Sequence, residues 1–128
     1  MAQGQLEHIN YTVANAKRSA EKLCEIFDWK IRWSGQSIHN GTSVHVGTED
    51  RYLALYTPSG KVSDAPDHYA IKGGLNHVGV LVENLDLTEQ RVLAAGYKTH
   101  SHQTYDPGSR FYFHNEDGIE FEVVSYQA

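Results

Sequence analysis

The chain has 128 residues, with 11 Lys and Arg against 16 Asp and Glu, for a formal net charge of −5. That length is one domain's worth, and the negative balance repels phosphate backbones and anionic lipid surfaces, which argues against nucleic-acid and membrane partners. The single cysteine, Cys24, excludes an internal disulfide. No apolar run is long enough to span a bilayer, and the opening MAQGQLEHINY lacks a basic-then-apolar signal, so a cytoplasmic protein is expected.

Residues 6–13 alternate, with Leu6, His8, Asn10 and Thr12 on one face and Ile9, Tyr11 and Val13 on the other, which is the period of a strand with one apolar side. Asn15 is the expected N-cap of a following helix whose stripe is Ala20, Leu23, Cys24 and Phe27. Short strands are predicted over 30–34, 42–46 and 52–56, with a hairpin-type turn at Asn40-Gly41. Residues 57–74 hold two of the three prolines and three glycines and read as a connector. Then LEHINYTVAN of 6–15 returns at 75–84 as LNHVGVLVEN, with Leu, His, Val and Asn in register. A second helix is expected to open with Asp86 and Glu89 in capping-box spacing, to carry Val92 and Leu93, and to stop at Gly96. Strands follow over 98–102, 111–114 and 119–125, with Asp117-Gly118 as the last turn. Residues 103–109 read as a loop, and His100 and His102 fall on one side of their strand.

Each half is therefore strand, helix and three strands. The expected fold is α+β: one domain over 1–128 with module one at 4–58, a connector at 59–73 and module two at 74–126. Its two βαβββ modules form curved mixed β-sheets around a metal-binding cup, with the helices on the outer face. His8 and His77 stand at equivalent points of the repeat, opposite the helix-packing valines. In the last strand Glu120, Glu122 and Val124 share one face against Phe121 and Val123. Two imidazoles and a carboxylate suit Fe, Mn, Ni, Co or Zn and leave positions open for water or substrate, which points to catalysis. Asn10 shares the His8 face, Trp33 and Tyr56 are aromatic wall candidates, Arg110 suits an anionic substrate, and Glu120 is a candidate base beside Glu122. His39 and His114 adjoin turns and His68 lies in the connector, where solvent contact accounts for them.

With these features the whole chain resembles the vicinal oxygen chelate superfamily, which includes glyoxalase I, fosfomycin-resistance proteins, bleomycin-binding proteins and extradiol dioxygenases. The two His strands carry the likeness, as does FYFHNEDGIEFEVV at 111–124, which is similar to the family's final hairpin. On that match the metal ligands are His8, His77 and Glu122. Tyr112 falls where fosfomycin-resistance and extradiol enzymes have an active-site tyrosine, and His102 lies near the place of the extradiol enzymes' outer histidine. The fourth carboxylate of glyoxalase I has no counterpart, because Ala54 or Leu55 fills its place. The final turn lacks the family's proline, and YDPGSR lacks the potassium loop of fosfomycin-resistance proteins. The resemblance implies a divalent-metal-dependent lyase, isomerase or dioxygenase acting on a small molecule, and a homodimer. The alternative it carries is an antibiotic-resistance protein, either a fosfomycin-type thiol transferase or a bleomycin-type drug-binding module.

Overall fold

A computed structural model describes residues 2–127, and the chain divides into two compact units, Met1–Ser63 and Asp64–Ala128. The first unit runs β1 (His8–Thr12), α1 (Ala16–Phe27), β2 (Lys30–Gln36), β3 (Thr42–Gly47) and β4 (Tyr52–Thr57). Its open sheet has the order β1-β4-β3-β2, with β1 parallel to β4 and the other pairs antiparallel. Helix α1 starts where expected: Asn15 is extended, and its side chain accepts from the Arg18 N–H at 3.0 Å. Ala16, Ala20, Leu23 and Ile26 are buried on α1, as are Tyr11, Val13, Val44, Val46, Leu53 and Leu55 on one face of the sheet. Each large aliphatic chain so buried stabilises by about 1.5–3 kcal/mol, and this fixes which way the strands turn. The helical stripe is rotated from the one predicted, since Ile26 is buried while Cys24 is half-buried and Phe27 packs on Trp29, ring centroids 4.9 Å apart.

The β2–β3 connection is a turn, but Gly41 is not its left-handed residue. A short 3-10 turn, Ile38–Asn40, takes that role through His39 (φ 54°) and Asn40 (φ 61°). Gly41 is needed for space, because a Cβ there would lie 2.5 Å from the Tyr56 hydroxyl.

The second unit repeats the plan with β5 (Val78–Leu81), α2 (Leu85–Ala94), β6 (Thr99–Tyr105), β7 (Gly108–His114) and β8 (Glu120–Ser125), in the order β5-β8-β7-β6. Its cap is Asn84, the repeat's counterpart of Asn15, which accepts from the Leu87 N–H at 3.0 Å. Asp86 lies inside the first turn, where a carboxylate is favoured by the helix dipole, and Glu89 points to β6, so the predicted capping box does not form. Gly96 closes the helix at φ 98°, as expected. Val78, Val80, Val92, Phe111, Phe113, Phe121 and Val123 form this unit's core, with Phe113 stacked on Phe121 at 5.1 Å.

Strands β6 and β7 run on to a tight turn at Asp106-Pro107, so most of the expected 103–109 loop is strand. A bulge interrupts β6: His100 pairs with Tyr112 and Gln103 with Arg110, leaving Ser101 and His102 opposite Phe111 alone. Ser101 is left-handed at φ 58°. The extra residue turns His102 to the helix side of the sheet, away from His100, which overturns the expected alternation.

Candidate functional site

In the first unit the ladder pairs His8 with Tyr52, Asn10 with Ala54 and Thr12 with Tyr56, and Ala54 pairs in turn with His45, itself opposite Trp33. Paired residues share a face, so all of these lie opposite α1. The outcome is a run of rings: His8 stacks on Tyr52 at 4.9 Å, Tyr52 on His45 at 4.7 Å, and His45 meets Trp33 at 5.0 Å. His8 is exposed, with Nδ1 on the Glu7 carboxylate at 2.8 Å, and that bond holds Glu7 below its ordinary pKa. Burial, aided by the charge of nearby His8, lowers the pKa of His45. Asn10 and Trp33 are exposed on this face as expected. The Tyr56 hydroxyl donates to the Ile38 carbonyl at 2.8 Å and pins the β2–β3 turn, a structural task that accounts for it.

In the second unit Glu120 pairs with His114 and Glu122 with Tyr112, while Gly79 lies opposite Glu122 from β5. Both glutamates face away from α2, as predicted. Glu122 is the meeting point of a histidine and an arginine: its Oε1 lies 3.0 Å from His77 Nε2, and Arg110 Nη1 donates to its Oε2 at 2.8 Å. Arg110 is not a solvated surface cation, since its side chain is 11% exposed and its guanidinium also lies over the Tyr105 ring at 4.3 Å. The bond to Glu122 raises the Arg110 pKa. Tyr112 sits edge-on to His77 at 6.0 Å, and burial, then the Glu122 charge, push its pKa up, so the phenol keeps its proton at neutral pH.

Glu120 belongs to a different cluster. Its side chain is 10% exposed; Tyr69 donates to its Oε1, and His114 Nε2 lies 3.5 Å from its Oε2. His114 Nδ1 is 3.2 Å from His100 Nε2, and the two rings stack at 5.1 Å. The Tyr69 bond raises that phenol's pKa to about 12. Glu120 thus shares the face of Glu122, while its oxygens face Tyr69 and His114. The expected side of His102 is corrected: it lies on the helix side, where it stacks on Phe111 at 6.0 Å and its Nε2 meets Glu89 at 2.6 Å, not on the glutamate face. Burial works to raise the Glu89 pKa, but the bonds from Thr99 and His102 outweigh it and hold the carboxyl below its ordinary value.

Of the expected site residues the structure brings together His77, Glu122, Tyr112 and Arg110, and it places His8 on the matching face of the first unit. Sequence reasoning missed His100, His114 and Tyr69. A third histidine in reach of Glu120 was readable only from strand register, and Tyr69 carried no signal, since a connector residue reaching the last strand has no local pattern. Register also answers which residue replaces the glyoxalase carboxylate. Asn10 pairs with Ala54 as Gly79 pairs with Glu122, so the counterpart of Glu122 is Ala54.

Two βαβββ units, each with a histidine at the head of its first strand and the last strand carrying a carboxylate, define the vicinal oxygen chelate fold. The chain belongs to the Glyoxalase/Bleomycin resistance protein/Dioxygenase superfamily, which residues 5–123 match. A glyoxylase/bleomycin resistance protein/dioxygenase domain from Frankia sp. EAN1pec is 25% identical, with a TM-score of 0.82 over 97% of this chain and 98% of that one. The fosfomycin resistance protein FosX from Mesorhizobium loti is 18% identical with a TM-score of 0.68, over 96% and 91%. FosX from Listeria monocytogenes, solved with Mn(II) and sulfate, is 14% identical with a TM-score of 0.69, over 98% and 93%. None of the curated protein sequences compared matches the chain. No helix among the described residues is long and apolar enough to cross a membrane.

Proposed function

We propose that the chain is a divalent-metal-dependent enzyme that chelates oxygens of a small substrate, a lyase, isomerase or dioxygenase, with His77, Glu122 and His8 as metal ligands. The observation that carries this reading is the His77–Glu122 pair. Its donor atoms are 3.0 Å apart, the edge of a coordination shell whose metal–ligand bonds are about 2.1 Å. Arg110 fits the same role from outside, anchoring the second oxygen of Glu122 as outer partners of metal-bound carboxylates do. A bleomycin-type binding module without metal would need none of this donor chemistry. When bound, the ion would supply Lewis-acid stabilisation of negative charge on substrate oxygens.

Around it, the chain's own residues have separable tasks. Tyr112, protonated at neutral pH, donates a hydrogen bond to a substrate oxygen beside Glu122. Asn10 and Trp33, on the His8 face, contact the substrate. The protein is taken to act in the cytoplasm as a homodimer, which gel filtration tests. Elemental analysis of protein purified without chelators tests the central claim: the parent carries divalent metal, and His77→Ala and Glu122→Gln each lose it. Metal retained by both variants at the parent's level would exclude this ligand set.

A further inference from the structure

We propose that His100, His114 and Glu120 form a second divalent-cation site, on the second unit and separate from the His77–Glu122 pair. The three side chains come from adjacent strands, β6, β7 and β8, and one ligand atom from each lies within 4.8 Å of the others. His100 Nε2 and His114 Nδ1, 3.2 Å apart, are spaced as two nitrogens sharing one ion at about 2.1 Å. The rings are half-exposed to exposed, so modest side-chain rotation closes the remaining gap to the carboxylate.

Charge makes the second argument. Glu120 and Glu122 are both largely buried, at 10% and 14% side-chain exposure. Glu122 is neutralised by Arg110, whereas the only ion partner of Glu120 among the described residues is the imidazole of His114. A carboxylate removed from water is costly without a cation, and an ion held by the two imidazoles would supply one. Tyr69, on Oε1, would then act from outside the ligand set, fixing the carboxylate while Oε2 faces the histidines. Two imidazoles and one carboxylate favour zinc, nickel, cobalt or copper(II) over magnesium or calcium. At the register-equivalent positions the first unit has Trp33, Gly47 and Tyr52, which offer no such donor set.

The test is zinc stoichiometry by equilibrium dialysis at neutral pH, after chelator stripping, on the parent, His114→Gln, Glu120→Gln and His77→Ala, with circular dichroism confirming each fold. His114 is exposed, so its variant does not threaten the core. The expected result is two ions per chain in the parent and one in each variant. Tyr69→Phe should weaken the second site by about 10- to 100-fold, and histidine ring resonances of His77→Ala should still shift on zinc addition. One ion that His77→Ala loses and His114→Gln keeps overturns the second site and leaves the proposed function standing. One ion lost by His114→Gln and kept by His77→Ala does the reverse, and no bound ion overturns both.

Discussion

His102→Ala separates a structural histidine from a functional one. In the folded chain His102 Nε2 meets Glu89 at 2.6 Å, but its side chain is 56% exposed while that of Glu89 is 23% exposed. Breaking a fully buried pair costs about 3–5 kcal/mol, and an exposed pair about 0.2–1 kcal/mol. Solvent screening at His102 places this one near the upper end of the exposed range, so a loss of about 1 kcal/mol is expected in urea unfolding near neutral pH. Glu89 has a lowered pKa when folded. Its contribution is therefore present above the ordinary carboxylate value of 4.5 and is lost as pH falls below it. The gap between parent and variant should narrow in acid accordingly. Glu89→Gln should be non-additive with His102→Ala, and metal content should equal the parent's. Loss of metal in His102→Ala with unchanged stability would refute the assignment of this residue to the helix side.

Two further outcomes follow from local geometry. Ser101→Gly should stabilise the chain by up to about 1 kcal/mol, because the left-handed backbone costs a non-glycine residue about 1–2 kcal/mol and glycine's extra unfolded freedom returns only part of that; a destabilised variant in the same urea assay would contradict the bulge. Tyr69 should titrate near 12 by difference phenolate absorbance between parent and Tyr69→Phe. Because the folded pKa is raised, the associated stability is whole below about pH 10 and disappears between 10 and 12. At 61% exposure it amounts to less than about 1 kcal/mol, and titration of Tyr69 at the ordinary value would remove the Glu120 bond from the account.

What was legible in the sequence was whatever repeats or alternates. The duplicated decapeptide located both first strands, and its shared final asparagine caps both helices, although for the second helix the sequence reading followed the Asp86–Glu89 spacing instead. Period-two alternation placed His8, Glu120 and Glu122 opposite the helices, because a single apolar face has to be buried and the other side chains follow from it. The bulge at Ser101 was not legible, since one residue out of step leaves the composition unchanged while reversing the side of His102. Register carries the remaining lesson. Lining up the two ladders matches Ala54 with Glu122, Tyr52 with Glu120, His45 with Tyr112, Gly47 with His114 and Trp33 with His100. The first unit thus keeps its histidine on a face of stacked rings, whereas the second has gathered carboxylates, imidazoles and a buried arginine on the same framework. Aromatic positions suit an apolar wall and the polar positions suit ion binding. The two units therefore share a scaffold and differ in the chemistry of one face, and for that reason the paired histidines alone did not reveal that most of the candidate donors belong to one half.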